Sequence, residues 1–219
     1  MNDKQVSSSS YADSKPHFEV LNGLRGVAAL MVIWYHVFEA FATSPIDQRF
    51  NHGYLAVDFF FVLSGFVISY AYDDRWSRMS IKDFFKRRLI RLHPLVAIGA
   101  VLGVITFMLQ GSMQWDGTQV TFSWIMISLF MSLFLIPALP GSGAEIRGNG
   151  EMFPLNGPSW SLFFEYIANI LYALFIRRLN LKALGILVGV AGAGLAYYSI
   201  AGLSGYGNLG VGWSLSDNN

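Results

Sequence analysis

Apolar residues run in long blocks along this chain, and the polar ones are bunched into a tail and connections instead of being spread along helical faces. This is the pattern of membrane-spanning helices, each of which needs about 20 largely apolar residues to cross roughly 30 Å of hydrocarbon. Residues 1–17 (MNDKQVSSSSYADSKPH) are polar and Ser-rich with no apolar h-region, so they do not form a cleavable signal peptide and read as a disordered tail. Asn22 caps a first span that runs to about Phe41. A second covers residues 54–72 (YLAVDFFFVLSGFVISYAY), and a third starts near Leu92, with Pro94 in its first turn, and ends near Gln110. A fourth covers about Val120 to Leu139. After a Gly/Pro-rich connection over 140–158, the turn at Asn156 to Pro158 or Ser159 itself signals a fifth span ending near Ile176. The sixth, Leu181 to about Ala201, holds Gly185, Gly189 and Ala193 at four-residue spacing, which suits close helix packing. The expected fold class is therefore all-α, a polytopic transmembrane helix bundle of about six spans over residues 18–219.

Charge placement orients these spans. Residues 73–91 carry Arg75, Arg78, Lys82, Lys86, Arg87, Arg88 and Arg91, the densest basic stretch in the chain, and by the positive-inside rule they face the cytoplasm, as does the N-terminus. Alternate counting then puts 140–158 inside and 177–182 outside, although Arg177, Arg178 and Lys182 favour the inside. Either the rule fails here or a middle segment does not cross fully. Composition agrees with a membrane protein: of 219 residues, 53% are hydrophobic and only 13% charged, too charge-poor for an ordinary soluble domain. A net charge of +1 argues against nucleic-acid binding by broad phosphate neutralisation. With no Cys there is no disulfide framework, thiolate zinc site or Cys nucleophile, and the four His residues make no metal spacing.

An ionisable group within a span costs several kcal/mol, so each needs a partner, a wet cavity or a function. Arg25 and His36 lie in the first span, Asp58 in the second and Glu165 in the fifth. Arg25 and His36 are eleven residues apart, about three turns and roughly 16.5 Å along one helical face. Asp58 enters the membrane from the outer end at nearly the depth of His36. An imidazole–carboxylate pair is thus geometrically possible, serving either to fix a His that takes a proton from a hydroxyl or to hold two helices together. Arg88 and Arg91, three apart at the mouth of the third span, present two guanidinium forks suited to phosphate oxygens. Trp160, Ser161 and Glu165 occupy the first two turns of the fifth span. Glu165 shares a face with Ser161 and suits proton transfer, hydrogen bonding to a sugar, or a packing role as a neutral carboxyl.

The stretches LNGLRGVAALMVIWYH, GYLAVDFFFVLSGFVISYAY, FFKRRLIRLHP and NGPSWSLFFE, in this order, resemble the acyltransferase-3 family of integral membrane O-acyltransferases over roughly residues 18–176. The resemblance implies transfer of an acyl group, commonly acetyl, from cytoplasmic acyl-CoA (acetyl-CoA) to a hydroxyl of a carbohydrate or glycolipid, in a bacterial inner membrane and with no permanently bound cofactor. It implies a catalytic set of His36, Asp58 and Glu165, acyl-CoA binding by Arg25, Arg88 and Arg91, and acceptor contacts at Trp160 and Ser161. His36 would act as general base or carry the acyl group itself. Family members commonly have more spans, so the chain reads as the N-terminal part of a larger bundle. Two other functions fit the embedded charges. One is a proton-coupled transporter relaying through His36, Asp58 and Glu165, although the first three spans are not repeated in the second three. The other is an inactive membrane scaffold.

Overall fold

A computed structural model of the chain describes residues 18–39, 41 and 52–200. The expected tail over 1–17 and the polar end after 200 lie outside the described residues. All six apolar segments contain a helix: α1 (Glu19–Glu39), α2 (Leu55–Tyr72), α3 (Ile81–Leu109), α4 (Phe122–Leu133), α5 (Ser159–Leu174) and α6 (Leu181–Ile200), with no strand among the described residues. α1, α3 and two stretches built on α2 and α5 are long and apolar enough to cross a membrane, and α4 and α6 are shorter apolar helices. Within the crossing stretches only 6% to 33% of residues are buried in the protein, while Leu30, Ile33, Val62, Ile90, Leu95 and Ile98 stand exposed. So much exposed apolar surface is untenable in water and requires hydrocarbon as the solvent.

The chain divides into two compact units, residues 1–63 and 64–219. In the first, the turn before α2 packs on α1 at Gly53, where an added Cβ would lie 2.4 Å from that of Tyr35. The second holds the rest of α2 and everything after it.

α3 begins eleven residues earlier than the hydropathy pattern implies. Ser80 and Asp83 form a capping box, the Ser80 hydroxyl accepting the Asp83 N–H at 3.1 Å and the Asp83 carboxylate accepting the Ser80 N–H at 3.2 Å, and this starts the helix ahead of the apolar run. Lys82, Lys86, Arg87, Arg88 and Arg91 are therefore helical, and Pro94 lies inside the helix instead of in its first turn. At 29 residues α3 is about 43 Å long, so its basic first turns extend past the hydrocarbon.

The connection between α4 and α5 is a packed segment and not a loose link. Ile146, Phe153, Met152 and Leu155 are among the most buried residues of the chain. The segment lies against α3, where a Cβ on Gly103 would fall 2.0 Å from the Leu155 carbonyl oxygen and one on Gly99 would fall 2.3 Å from the Asn156 amide nitrogen. Close packing through glycines at four-residue spacing thus occurs on α3. On α6 the expected stripe is open among the described residues: none of them lies within 4 Å of a Cβ built on Gly185 or Gly189, and Ala193 is exposed.

α3 and α5 run antiparallel. Phe84 meets Tyr172 at 5.8 Å between ring centroids, Arg88 meets Glu165, and Gly99 meets Asn156, so rising numbers on one helix pair with falling numbers on the other. The end of α3 and the start of α5 are therefore at the same end, and the chain between them makes no net crossing. α4, with 12 residues and a length of about 18 Å, falls short of spanning about 30 Å. This corrects the alternate count and removes its conflict. Residues 177–182 return to the side of the basic stretch, where the Arg177 guanidinium lies 4.0 Å above the Trp76 ring.

Candidate functional site

The embedded charges of the second unit meet between α2, α3 and α5. Arg88, seven residues into α3, is only 2% exposed, and its Nη2 donates to Glu165 Oε1 at 2.8 Å. The Ser64 hydroxyl of α2 donates to the same oxygen at 3.0 Å. One carboxylate oxygen thus accepts from two donors, and its pairing with Arg88 offsets the cost of burying the guanidinium. Ser64 is invisible as a site residue in the sequence, because a lone Ser in an apolar run carries no chemical spacing. Its position in the helix is the only available signal.

Further polar atoms surround this pair. The Asn169 side-chain amide donates through Nδ2 to the Glu165 backbone carbonyl at 2.6 Å. Among the described residues its Oδ1, Arg88 Nε and the Tyr166 hydroxyl are buried without a hydrogen-bond partner. Towards the basic end of α3, the Tyr172 hydroxyl donates to Asp73 and accepts from Trp76 Nε1 at 3.2 Å, and an aromatic cluster of Tyr72, Trp76, Phe84 and Tyr172 closes this side.

The structure separates Arg88 from Arg91. Arg88 turns into the packed interior and pairs with Glu165, while Arg91 is exposed. The two forks do not open together towards one ligand. In α5, Trp160 is half-buried against Phe164, with ring centroids 6.2 Å apart, and the Ser161 hydroxyl donates to the Pro158 carbonyl at 2.9 Å. Ser161 therefore serves the start of its helix, whose N-cap is Pro158 and brings no side-chain cap of its own. In the first unit Arg25 is half-buried on α1, and His36, exposed one turn from the end of that helix, meets the Tyr35 ring edge-on at 5.3 Å. Asp58 is exposed in the first turn of α2. Among the described residues no group of three or more His, Asp or Glu could hold a metal ion.

With this geometry in view, comparison with known proteins is specific. A family model described as an acyltransferase domain matches residues 18–216. A protein of Rhizobium radiobacter named protein 2 in the picA locus is 32% identical over 187 residues, covering 80% of this chain and 90% of that protein. Acyltransferase MdmB of Streptomyces mycarofaciens is 31% identical over 72% of this chain, and the peptidoglycan O-acetyltransferase OatA of Listeria monocytogenes is 34% identical over 42% of it. The matched regions are 38% and 14% of those two proteins' own lengths. No solved structure matches.

Proposed function

The chain belongs to the acyltransferase-3 family, and from that premise we propose that it moves an acyl group, commonly acetyl, from acyl-CoA on the cytoplasmic side of a bacterial inner membrane to a hydroxyl of a carbohydrate or glycolipid. It is a membrane acyltransferase. The donor, the acceptor and the orientation are the parts of this reading that go further. The observation that carries it is the buried Arg88–Glu165 pair between helices built to cross a membrane. A charge there costs several kcal/mol, and the default meaning of such a group is function.

In this reading the basic collar at the start of α3 faces the cytoplasm. Arg91, exposed one turn beyond Arg88, takes the donor's phosphates, with Arg25 assisting. Arg88, already neutralised by Glu165, is turned into the packed interior one turn nearer the basic end of α3 and meets the donor from within the bundle. His36, oriented by Asp58, removes the proton of the acceptor hydroxyl. The hydroxyl oxygen bonds to the thioester carbonyl carbon, the carbon–sulfur bond breaks, and the sulfur leaves with the electron pair and gains a proton. If His36 carries the acyl group, the same bonds change in two steps. Trp160 and Ser161 would line the acceptor's approach. A relative that acetylates peptidoglycan supports the carbohydrate class.

Replacing His36 by Ala tests the assignment. Transfer of labelled acetyl from acetyl-CoA should fall at least about 100-fold, the usual scale of a lost general base, while acetyl-CoA binding stays as in the wild type. Unchanged transfer overturns the role of His36. Proton-driven solute flux in vesicles, without acetyl transfer, would favour a transporter relaying through His36, Asp58 and Glu165.

A further inference from the structure

α4 covers only part of the side of α3 on which it lies. Ile125 and Leu129 pack there in one cluster with Val104 and Phe107, and just past the end of α4 Leu135 joins the cluster around Val96. The two helices therefore run antiparallel, and α4 stops at the level of Val96. From Lys86 to Val96 is ten residues of α3, about 15 Å, that α4 does not reach. That is half of a roughly 30 Å hydrocarbon core, the depth of one leaflet. His93 and Val104 are eleven residues apart, three turns and about 20°, so the uncovered length continues the side on which α4 packs.

Lys82, Lys86 and His93 stand along this length. Steps of four and seven residues keep all three within about 40° of arc, while the buried Phe84 and Arg88 lie on the other side of the helix. Both lysines are exposed, and so is the apolar surface that follows them: Leu89 is 49% and Ile90 65% exposed, with Phe134 at 60% and Ile136 at 45% just past the end of α4. Asp83, the acidic group of these turns, is turned to Ser80, whose hydroxyl it accepts at 2.7 Å. His93 is half-buried, and its imidazole finds no hydrogen-bond partner among the described residues. An imidazole so placed among apolar side chains is costly unless something from outside the chain bonds to it.

We propose that this face of α3 binds an anionic glycerophospholipid. The order along the helix is two cations, then an imidazole, then bare apolar surface, and such a lipid presents the complementary order: a phosphodiester, ester carbonyls at the next depth, and acyl chains beyond. Because those groups are spread over depth, one molecule engages the whole column. A free phosphate or a nucleotide would meet only the lysines and leave the apolar length uncovered. A zwitterionic headgroup brings a cation of its own, which the two lysines repel. The acyl chains take the place along α3 that a full-length α4 would have filled.

The test uses the full chain in nanodiscs of pure phosphatidylcholine and in nanodiscs that also contain phosphatidylglycerol. Wild-type protein should melt higher with phosphatidylglycerol, by about 3–10 °C for a site in ten- to a hundredfold excess over its Kd. Lys82→Gln with Lys86→Gln should remove that rise and melt like the wild type in pure phosphatidylcholine, where the site is empty. His93→Phe should reduce the rise. Arg178→Gln with Lys182→Gln, on the turn before α6, should keep it. Equal loss in the two double variants would mean diffuse attraction of the basic end to an anionic surface, and would overturn the site. So would an unchanged rise in the Lys82/Lys86 variant, or no rise in the wild type. The soluble headgroup glycerophosphoglycerol, added to phosphatidylcholine nanodiscs, should have no effect; a rise equal to that of the lipid would assign the lysines to a free phosphodiester instead.

Discussion

Arg88 and Glu165 show what a single pair of side chains decides in a hydrocarbon solvent. Between apolar helices in lipid, apolar contact adds little specificity because the lipid tails are as apolar as leucine. An ion pair with a shared hydroxyl donor therefore carries much of the information that fixes which faces meet. Glu165→Gln leaves a buried guanidinium without its counter-charge and should destabilise the protein by about 3 kcal/mol, the low end for a broken buried pair because Glu165 keeps some exposure. Thermal unfolding in nanodiscs measures this. The double replacement Arg88→Met with Glu165→Leu should recover most of the loss while donor binding stays impaired. Recovery of both would remove Arg88 from the donor site. The sequence identifies each charge as embedded and in need of a partner. That they partner each other, 77 residues apart, and that Ser64 joins them, depends on the antiparallel fit of α3 and α5.

At the scale of elements, α3 organises the second unit. Its start is legible in the sequence as Ser80-Ile-Lys-Asp83, but a reading led by hydropathy begins the helix where the apolar run begins and so passes over the capping box. Its middle is set by Gly99 and Gly103, whose missing side chains admit the backbone of residues 155–156. Gly103→Ala should cost about 2–3 kcal/mol, the scale of an overpacked core, because the obstructing atom is a backbone carbonyl that cannot rotate away. Gly185→Ala on α6, which no described residue crowds, should be neutral or slightly stabilising. Thermal unfolding of the two variants side by side checks both. Equal effects would mean that the two stripes of small residues are alike. The segment over 140–158 reads as a loop because Gly and Pro break helical periodicity, yet it carries some of the most deeply buried side chains. Burial of an irregular segment has no periodic signature.

At the scale of the whole chain, the antiparallel α3 and α5 restore agreement between charge and topology. The absence of Cys makes this directly measurable, since every introduced thiol reports alone. Cysteines replacing the exposed Arg78 and Arg178 should react with a membrane-impermeant maleimide from the same side of sealed vesicles, and one replacing the exposed Asn149 from the other. Labelling of residues 78 and 178 from opposite sides would contradict the antiparallel pairing.

The sequence by itself determined the solvent, the six helical segments and the family, because blocks of apolar residues and short ordered motifs are local properties of the chain. It also determined which side chains are unusual, since a charge in an apolar run stands out wherever the run folds. Tertiary structure alone decided which charges meet, how often the chain crosses between α3 and α5, and which glycines are closely packed. Those depend on contacts between residues tens of positions apart, and the energy of such a contact exists only once the helices have been brought together.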